Sequence, residues 1–536
     1  MNLVKDPWLP MRLQDGSEQV LPMSQISRSD VVDFALPRAD FQGAAYQFAI
    51  GLLQTVFAPN GQTEWVKLFE TPPSQEVLEN AFHSVEHAFH GDGDGPLFMQ
   101  DFDLLEKQTA TKVSGLLIEA PGENGIKNNT DHFIKRGIGE QMSLEMALLA
   151  LFTLQINAPA GGAGHRVGLR GGGPLTTLIQ PSTETATLWQ KLWLNVINRE
   201  DWVYYDPDFT DGSVFPWLAP TKLSDKKNTE IYENSKDINL LHMFWAMPRR
   251  IRLEVQHREG VCHISGKTAQ KVVTDYRTQN YGHNYSGNWS HPLTPYKGDP
   301  KKPEAEWLSI KGQPGGLHYK IWDVLSFSSD TQAQKCAAVV SHFEVVSKHY
   351  RKALKQVRSR LWVFGYDMDN MKARCWYSAS MPLFQFDPEQ QNDLLVEVKY
   401  LQKLSSDALW HLRSEVKAAW FESPSDAKGD MSFIDMEFWQ RTENLFFDAI
   451  AKLMEEIQED DDRQQLSTAA AKTWLTKLQF VVLDLFDEYA LSELGSERTM
   501  IKRIEARRSL SGWLYGGKDI KAFKTDHKIE AKQEVS

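Results

Sequence analysis

Residues 157–177, NAPAGGAGHRVGLRGGGPLTT, hold the densest run of chemistry-bearing residue types in this 536-residue chain. The stretch 160–173 has seven glycines together with His165, Arg166 and Arg170, and no acidic residue. Glycine lets a backbone approach a ligand closely and supplies positive φ, while arginine supplies contacts to phosphates and guanine edges. The standard phosphate-loop patterns GxxxxGK[ST] and GxGxxG are missing. Two readings stay open: an ordinary mobile loop, or a glycine-rich surface that meets a nucleic acid through its backbone and arginines. The residues of interest in the second reading are Gly161, Gly162, Ala163, Gly164 and Arg166.

Three further constellations are weaker. Asn129, Thr130, Asp131 and His132, followed by Lys135 and Arg136, suggest either Asp/His acid–base chemistry or a polar, basic contact loop. Neighbours in sequence usually point apart, and the Pro- and Gly-rich flanks suggest a long mobile loop. Residues 365–377 hold Asp367 and Asp369 one residue apart, the start of a two-metal nuclease site that would need further carboxylates. The same stretch holds Asn370, Met371, Lys372 and Arg374. Asn and Lys reach base edges, and a long or apolar side chain can wedge between base pairs; a plain polar turn between two strands is the alternative. Cys262 and His263, with His257, His283 and His291, lack any CxxC or HxxxH pair. No metal and no cofactor are expected.

These residues need elements to position them. The stretch 41–57 reads as a helix closed by Ala58 and Pro59, and 142–156 as a helix apolar nearly all round and therefore buried. The second feeds straight into the glycine segment. From Asp387 and Pro388, a likeness to a helix start, apolar residues recur at helical spacing through Leu394, Val398, Leu401, Ala408, Leu412, Val416 and Ala419. Three more such stretches follow, the last ending at Gly516 and Gly517. The expected fold class is α+β: a large mixed domain over 1–380, an antiparallel four-helix bundle over 387–516, and a polar, frayed tail over 517–536. The fourth helix carries Lys502, Arg503, Arg507 and Arg508 on one broad side, either a phosphate or acidic-partner surface or a solvated face.

Composition narrows the class. The chain is 41% hydrophobic and 24% charged, which excludes disorder for most of its length. The apolar run 146–154 is too short for a bilayer span. No secretory h-region follows Lys5 and Asp6, and three scattered cysteines make no disulfide framework, so a cytoplasmic protein with reduced thiols is expected. A net charge of -12 disfavours non-specific duplex binding, although one local basic patch suffices for a large subunit. Seventeen tryptophans suit either an aromatic core or the interfaces of an assembly.

Taken in order, the motifs resemble those of the large subunit (CasA) family of the type I-E CRISPR Cascade surveillance complex. The resemblance runs through Asn2, Leu3, Asp6, Trp8, Pro10 and Arg12; Leu36, Pro37 and Arg38; Ala58 and Pro59; and Phe98, Met99 and Gln100. It continues through Ala158 and Pro159 before the glycines, Gly168, Leu169, Arg170, Gly171, Gly172 and Pro174, then Gly365 and Tyr366, and the terminal bundle. The resemblance implies a subunit without catalysis, whose partners are the other Cascade subunits, crRNA, double-stranded target DNA and a recruited helicase-nuclease, with no membrane. It implies reading of the protospacer-adjacent motif, mainly from the minor groove, and opening of the duplex with a wedge. By position, the glycine loop becomes 161–164, the wedge Asn370, Met371 and Lys372, and the neighbourhood of a motif-contacting lysine Arg277. A loop reaching the crRNA handle and the adjacent subunit maps to Lys127, Asn129, His132, Lys135 and Arg136. Some members of that family carry a four-cysteine zinc site where this chain has only Cys262, and some carry glutamine at the wedge. A metal-dependent nuclease using Asp131/His132 or Asp367/Asp369 is the competing expectation, and a pure protein-binding scaffold a third.

Overall fold

A computed structural model of the chain describes residues 1–120, 137–162, 164–201, 206–350, 354, 359–369, 372–384, 388–426, 429–460, 463–492 and 497–529. The apolar stretch that precedes the glycines forms the helix Leu144–Asn157, started by Ser143, whose hydroxyl accepts from the Met146 N–H at 3.4 Å. Apolar on nearly all sides, it is buried on nearly all sides and packs against the helix Ala39–Val56. Between them sits Phe48, whose ring meets those of Trp8, Phe89, Phe98, Phe152 and Trp245 edge-on at centroid distances of 5.6–5.8 Å. The buried indoles also find acceptors: Trp245 Nε1 donates to Thr55 Oγ1 at 3.0 Å and Trp217 Nε1 to the Ala88 carbonyl at 2.6 Å. Much of the tryptophan excess is therefore core, with Trp410 at 62% exposure a clear exception.

The chain divides into two compact units, and the division is not contiguous. The first comprises Met1–Gly312 with Asp330–Ser380; the second comprises Gln313–Ser329 with Met381–Ser536. In the first unit, two sheets frame the glycine segment. One is built on the strand Val272–Gln279, which pairs antiparallel with Arg250–Gln256, Ala110–Lys112 and Met142–Ser143. The other runs in the order Lys372–Pro382, Ser359–Asp369, Thr176–Pro181, with Phe364 opposite Thr176 and Ser359 opposite Pro181.

The second unit contains the four expected helices, Pro388–Trp420, Ser432–Glu459, Thr468–Leu491 and Glu497–Gly516. Their cross-contacts fix an up-and-down order. Arg413 near the end of the first helix pairs with Asp435 near the start of the second, and Arg441 of the second with Asp484 and Glu488 late in the third. Arg507 and Leu514 of the fourth meet Asp487 and Gln479 of the third in reversed order, and Glu415 and His411 of the first meet Ser509 and Trp513 in the same reversed sense.

Two expectations change here. The mixed domain expected over 1–380 lacks 313–329, because Tyr319 stacks on Phe446 at 4.4 Å and Trp322 meets Phe447 at 5.8 Å inside the helical unit. The tail expected to fray from 517 is instead the helix Lys518–Asp526, with Ile520 and Phe523 fully buried. Two apolar side chains three residues apart give that helix one buried stripe. Among the described residues, no helix is long and apolar enough to cross a membrane.

Candidate nucleic-acid interface

The glycine segment closes on itself. Gly168 N–H donates to the Ala158 carbonyl at 2.8 Å and Gly173 N–H to the Asn157 carbonyl at 3.2 Å, so the ends of 157–173 lie side by side. Gly172 has no room for a side chain, since a Cβ there would lie 2.9 Å from Pro159 Cα. Between the closed ends, 160–167 project as a turn in which His165 N–H donates to the Gly162 carbonyl at 3.2 Å. Gly162 has φ of +86° with open space around it, whereas Gly164 has φ of +79° and lies against Asn280 and Tyr281.

The turn is fastened to its surroundings rather than loose. The Tyr281 N–H donates to the Gly164 carbonyl at 2.7 Å, from a residue held at φ of +68°, a left-handed backbone that costs a non-glycine residue about 1 kcal/mol. Arg166 donates through Nε to Ser224 Oγ at 2.7 Å and through Nη2 to the Ser224 carbonyl at 2.5 Å. Two of its three nitrogens thus hold the turn to the segment that follows the strand Val272–Gln279, through a serine that itself donates to the Gly282 carbonyl. Arg170 is buried, not presented to a ligand: it donates to Thr176 and Thr294 hydroxyls, Gln47 Oε1 and the Ile156 carbonyl. Burial pulls its pKa down to about 10, and it remains a cation. The expectation that Arg170 contacts phosphate is corrected on that ground.

Arg277 lies on the strand whose end meets the turn. Its Nε donates to Glu254 at 2.6 Å and its Nη1 to the Glu106 and Gln108 carbonyls at 2.6 and 2.8 Å. The side chain braces the sheet, with its charge offset by Glu254. Residues Asn280 and Tyr281, a few positions on, are what touch Gly164.

The hairpin of Ser359–Asp369 and Lys372–Pro382 reaches the same place. Gly173, at φ of +60°, lies against Met368 and the Tyr366 carbonyl, and Gly365 lies against the Pro174 carbonyl. Residues 308–312 lace the two together: Leu175 N–H donates to the Ile310 carbonyl at 2.8 Å, Pro174 bridges Lys311, and Gly312 bridges Asp367. Lys311, beside Gly171, was not singled out by sequence, and an isolated lysine in a Pro/Gly-rich stretch gives no signal.

Asp367 is buried and gripped by Arg374 at 2.7 and 3.0 Å, and Asp369 lies 3.8 Å from the same guanidinium. The pair is thus a cross-hairpin ion pair in this fold. Lys372 is exposed at the start of the second strand. Asn370 and Met371, Ala163, and Lys127, Asn129, Asp131, His132, Lys135 and Arg136 lie outside the described residues. Cys262, His283 and His291 are buried; His283 Nε2 accepts from the Lys222 N–H at 3.1 Å, and burial drives its pKa down to about 3. Among the described residues, no group of three or more His, Cys, Asp or Glu side chains could hold a metal ion.

Of the basic residues expected on one side of the fourth bundle helix, Arg508 is exposed, and two of the half-buried ones have partners within the bundle. Arg507 pairs with Asp487 at 2.5 Å, and Lys502 donates to the Phe421 carbonyl.

Comparison with known proteins follows the same lines. A family model described as CRISPR-associated protein Cse1 matches residues 2–485. Among solved structures, the chain is similar to CasA (Cse1) of Thermus thermophilus at 17% identity and a TM-score of 0.68, over 96% of this chain and 99% of that one. It is similar to Cse1 of Thermobifida fusca at 15% identity and a TM-score of 0.66, over 97% and 98%. A chain of a CRISPR RNA-guided surveillance complex matches at 14% identity and a TM-score of 0.66, over 95% and 99%.

Proposed function

The chain belongs to the Cse1 family of CRISPR-associated proteins, the CasA family of type I-E Cascade, and from that premise we propose that it reads the protospacer-adjacent motif in double-stranded DNA. In this reading it is the large subunit of an RNA-guided antiviral-defence complex in the cytoplasm. Its partners are the other Cascade subunits, crRNA, the target duplex and the helicase-nuclease that it helps recruit. Its part is binding and duplex opening, not catalysis.

One observation carries the reading. The glycine segment, the end of the Arg277 strand and residues 365–368 of the 359–382 hairpin are laced together, although they come from three distant stretches of chain. An exposed glycine turn can approach a minor groove about 6 Å wide, and in this reading the hairpin supplies the wedge that unstacks a base step, at a cost of a few kcal/mol. Minor-groove reading is degenerate, which suffices for a short motif when guide pairing supplies the remaining specificity, as in another RNA-guided effector. The nuclease reading has no comparable support, since Arg374 occupies Asp367.

The test uses Gly162, because a side chain at Gly164 would collide with Asn280 and Tyr281 within the protein itself. Gly162 faces open space, and Asn and Asp tolerate its left-handed backbone better than other residues do. In the assembled complex, Gly162→Asp should lower duplex affinity by one to two orders of magnitude, about 1.4–2.8 kcal/mol, with Gly162→Asn much closer to wild type. Exchanging Asn370, Met371 and Lys372 for alanines should impair strand opening more than first contact. A pre-opened bubble should therefore rescue the hairpin variant far better than Gly162→Asp. Equal rescue in a gel-shift assay with matched guide would show the two roles to be wrongly divided.

A further inference from the structure

Arg249 is a cation beneath the glycine turn that has no counter-anion among the described residues. Its backbone is clamped at the end of the helix Leu144–Asn157: the Arg249 N–H donates to Gln155 Oε1, and Gln155 Nε2 donates to the Arg249 carbonyl, both at 2.9 Å. The guanidinium reaches the turn, where Nη2 donates to the Pro159 carbonyl, and its Nε is buried without a partner. Carboxylates serve the next residue instead: Arg250 pairs with Asp101 at 2.6 Å and Asp103 at 2.8 Å. Burial pulls the Arg249 pKa down to about 10, which leaves it charged at neutral pH.

Gly161 lies directly in front of this group. A Cβ there would sit 2.7 Å from Nη1, 3.1 Å from Nη2 and 2.7 Å from His165 Cβ. Gly161 does not have the positive φ that explains glycine at 162 and 164, so the missing Cβ, rather than the backbone angle, is what its position uses. The gap leaves the guanidinium edge facing an exposed stretch of main chain. A guanidinium binds phosphate in two parallel charge-assisted hydrogen bonds, and a partly buried cation without a carboxylate is stabilised by an arriving anion.

We propose that Arg249 is a phosphate-binding residue of this interface, meeting a DNA phosphodiester through the gap left at Gly161. The assignment rests on the duplex-reading function proposed above and adds a second role, since the same side chain holds the Pro159 carbonyl and so sets the turn.

Salt dependence separates charge from support. For duplex DNA, each phosphate neutralised steepens the fall of log K with log salt by about 0.9. With the assembled complex and motif-bearing duplex, Arg249→Gln should weaken binding about tenfold and make that slope shallower by about 0.9. Arg249→Lys should keep the slope while losing part of the affinity. Gly161→Ala, with Arg249 intact, should reproduce the shallower slope by filling the gap. Arg249→Lys and Gly161→Ala both retain a cation at 249, so one of them reports even if Arg249→Gln does not fold. Weaker binding with an unchanged slope in Arg249→Gln and Gly161→Ala would reduce Arg249 to a support and overturn the proposal, as would unchanged affinity. If Gly162→Asp also binds normally, the duplex-reading function falls with it; if Gly162→Asp alone is impaired, only the Arg249 assignment falls.

Discussion

In the bundle, Arg441 reaches Glu437, Asp484 and Glu488 at 2.6–2.9 Å and Arg507 reaches Asp487, whereas Arg249, Arg166 and Arg170 at the glycine segment meet only neutral oxygens among the described residues. The two regions hold similar basic residues and use them differently. Arg441 and Arg507 are matched to carboxylates, most of them on neighbouring helices, and have little left for a polyanion. Those under the glycine segment keep their charge in a setting of lower dielectric, where a field reaches further. A net charge of -12 for the chain thus conceals a local excess of cation.

The largest expected effect tests the bundle side. His527 is fully buried; its Nδ1 lies 3.0 Å from the Phe523 carbonyl and its Nε2 2.9 Å from Glu397 Oε1, so the protonated ring can donate to both. Burial pulls its pKa down, but the Glu397 hydrogen bond and charge outweigh that, and the net shift is upward. The pair's contribution is therefore complete below the unfolded value of about 6.5 and is lost as pH rises through the folded value. His527→Ala should cost about 3 kcal/mol and remove that pH dependence, read from urea unfolding followed by circular dichroism at pH 6 and pH 8. Equal pH dependence in the variant would place the titrating group elsewhere.

A smaller effect would break the comparison outright. Changing Arg441 and Arg507 to Gln together should cost under about 1 kcal/mol for each exposed pair and leave duplex affinity and its salt slope unaltered. A shallower slope would mean that the bundle face also neutralises phosphate. The smallest effect sharpens the other side. Burial and then the Arg249 charge hold the His165 pKa below 6.5, so its ring is neutral at pH 7. A phosphate beside the turn would raise that pKa, so binding takes up protons and tightens as pH falls from the bound value towards the free value. The gain should be under about tenfold, and His165→Asn should abolish it in titrations at pH 7.5 and pH 6.

How far this was legible depends on the reach of each interaction. The bundle helices were readable because their apolar spacing is local, and Gly516 ends the fourth where expected. The helix Lys518–Asp526 was missed because Ile520 and Phe523 are its whole apolar signal among lysines and aspartates. The glycine segment stood out by composition, yet its arginines were read as free, since Gln47 and Thr294 lie 123 and 124 residues from Arg170. Arg249 was invisible for the same reason, its partner at Pro159 being 90 residues away. Local pattern marked out the segment; it carried no information on which charges the fold had already matched.

The split of the helical unit across the chain has a temporal side. Tyr319 bonds to Thr442, 123 residues later, so during synthesis it leaves the ribosome well before its partners exist. At 5–20 residues per second, that interval is roughly 6–25 s. The first unit closes over Asp330–Ser380 in the meantime, while Tyr319 and Trp322 wait as a nascent apolar segment. The helical unit is therefore completed after the first, and its earliest residues are the ones that spend longest without a core.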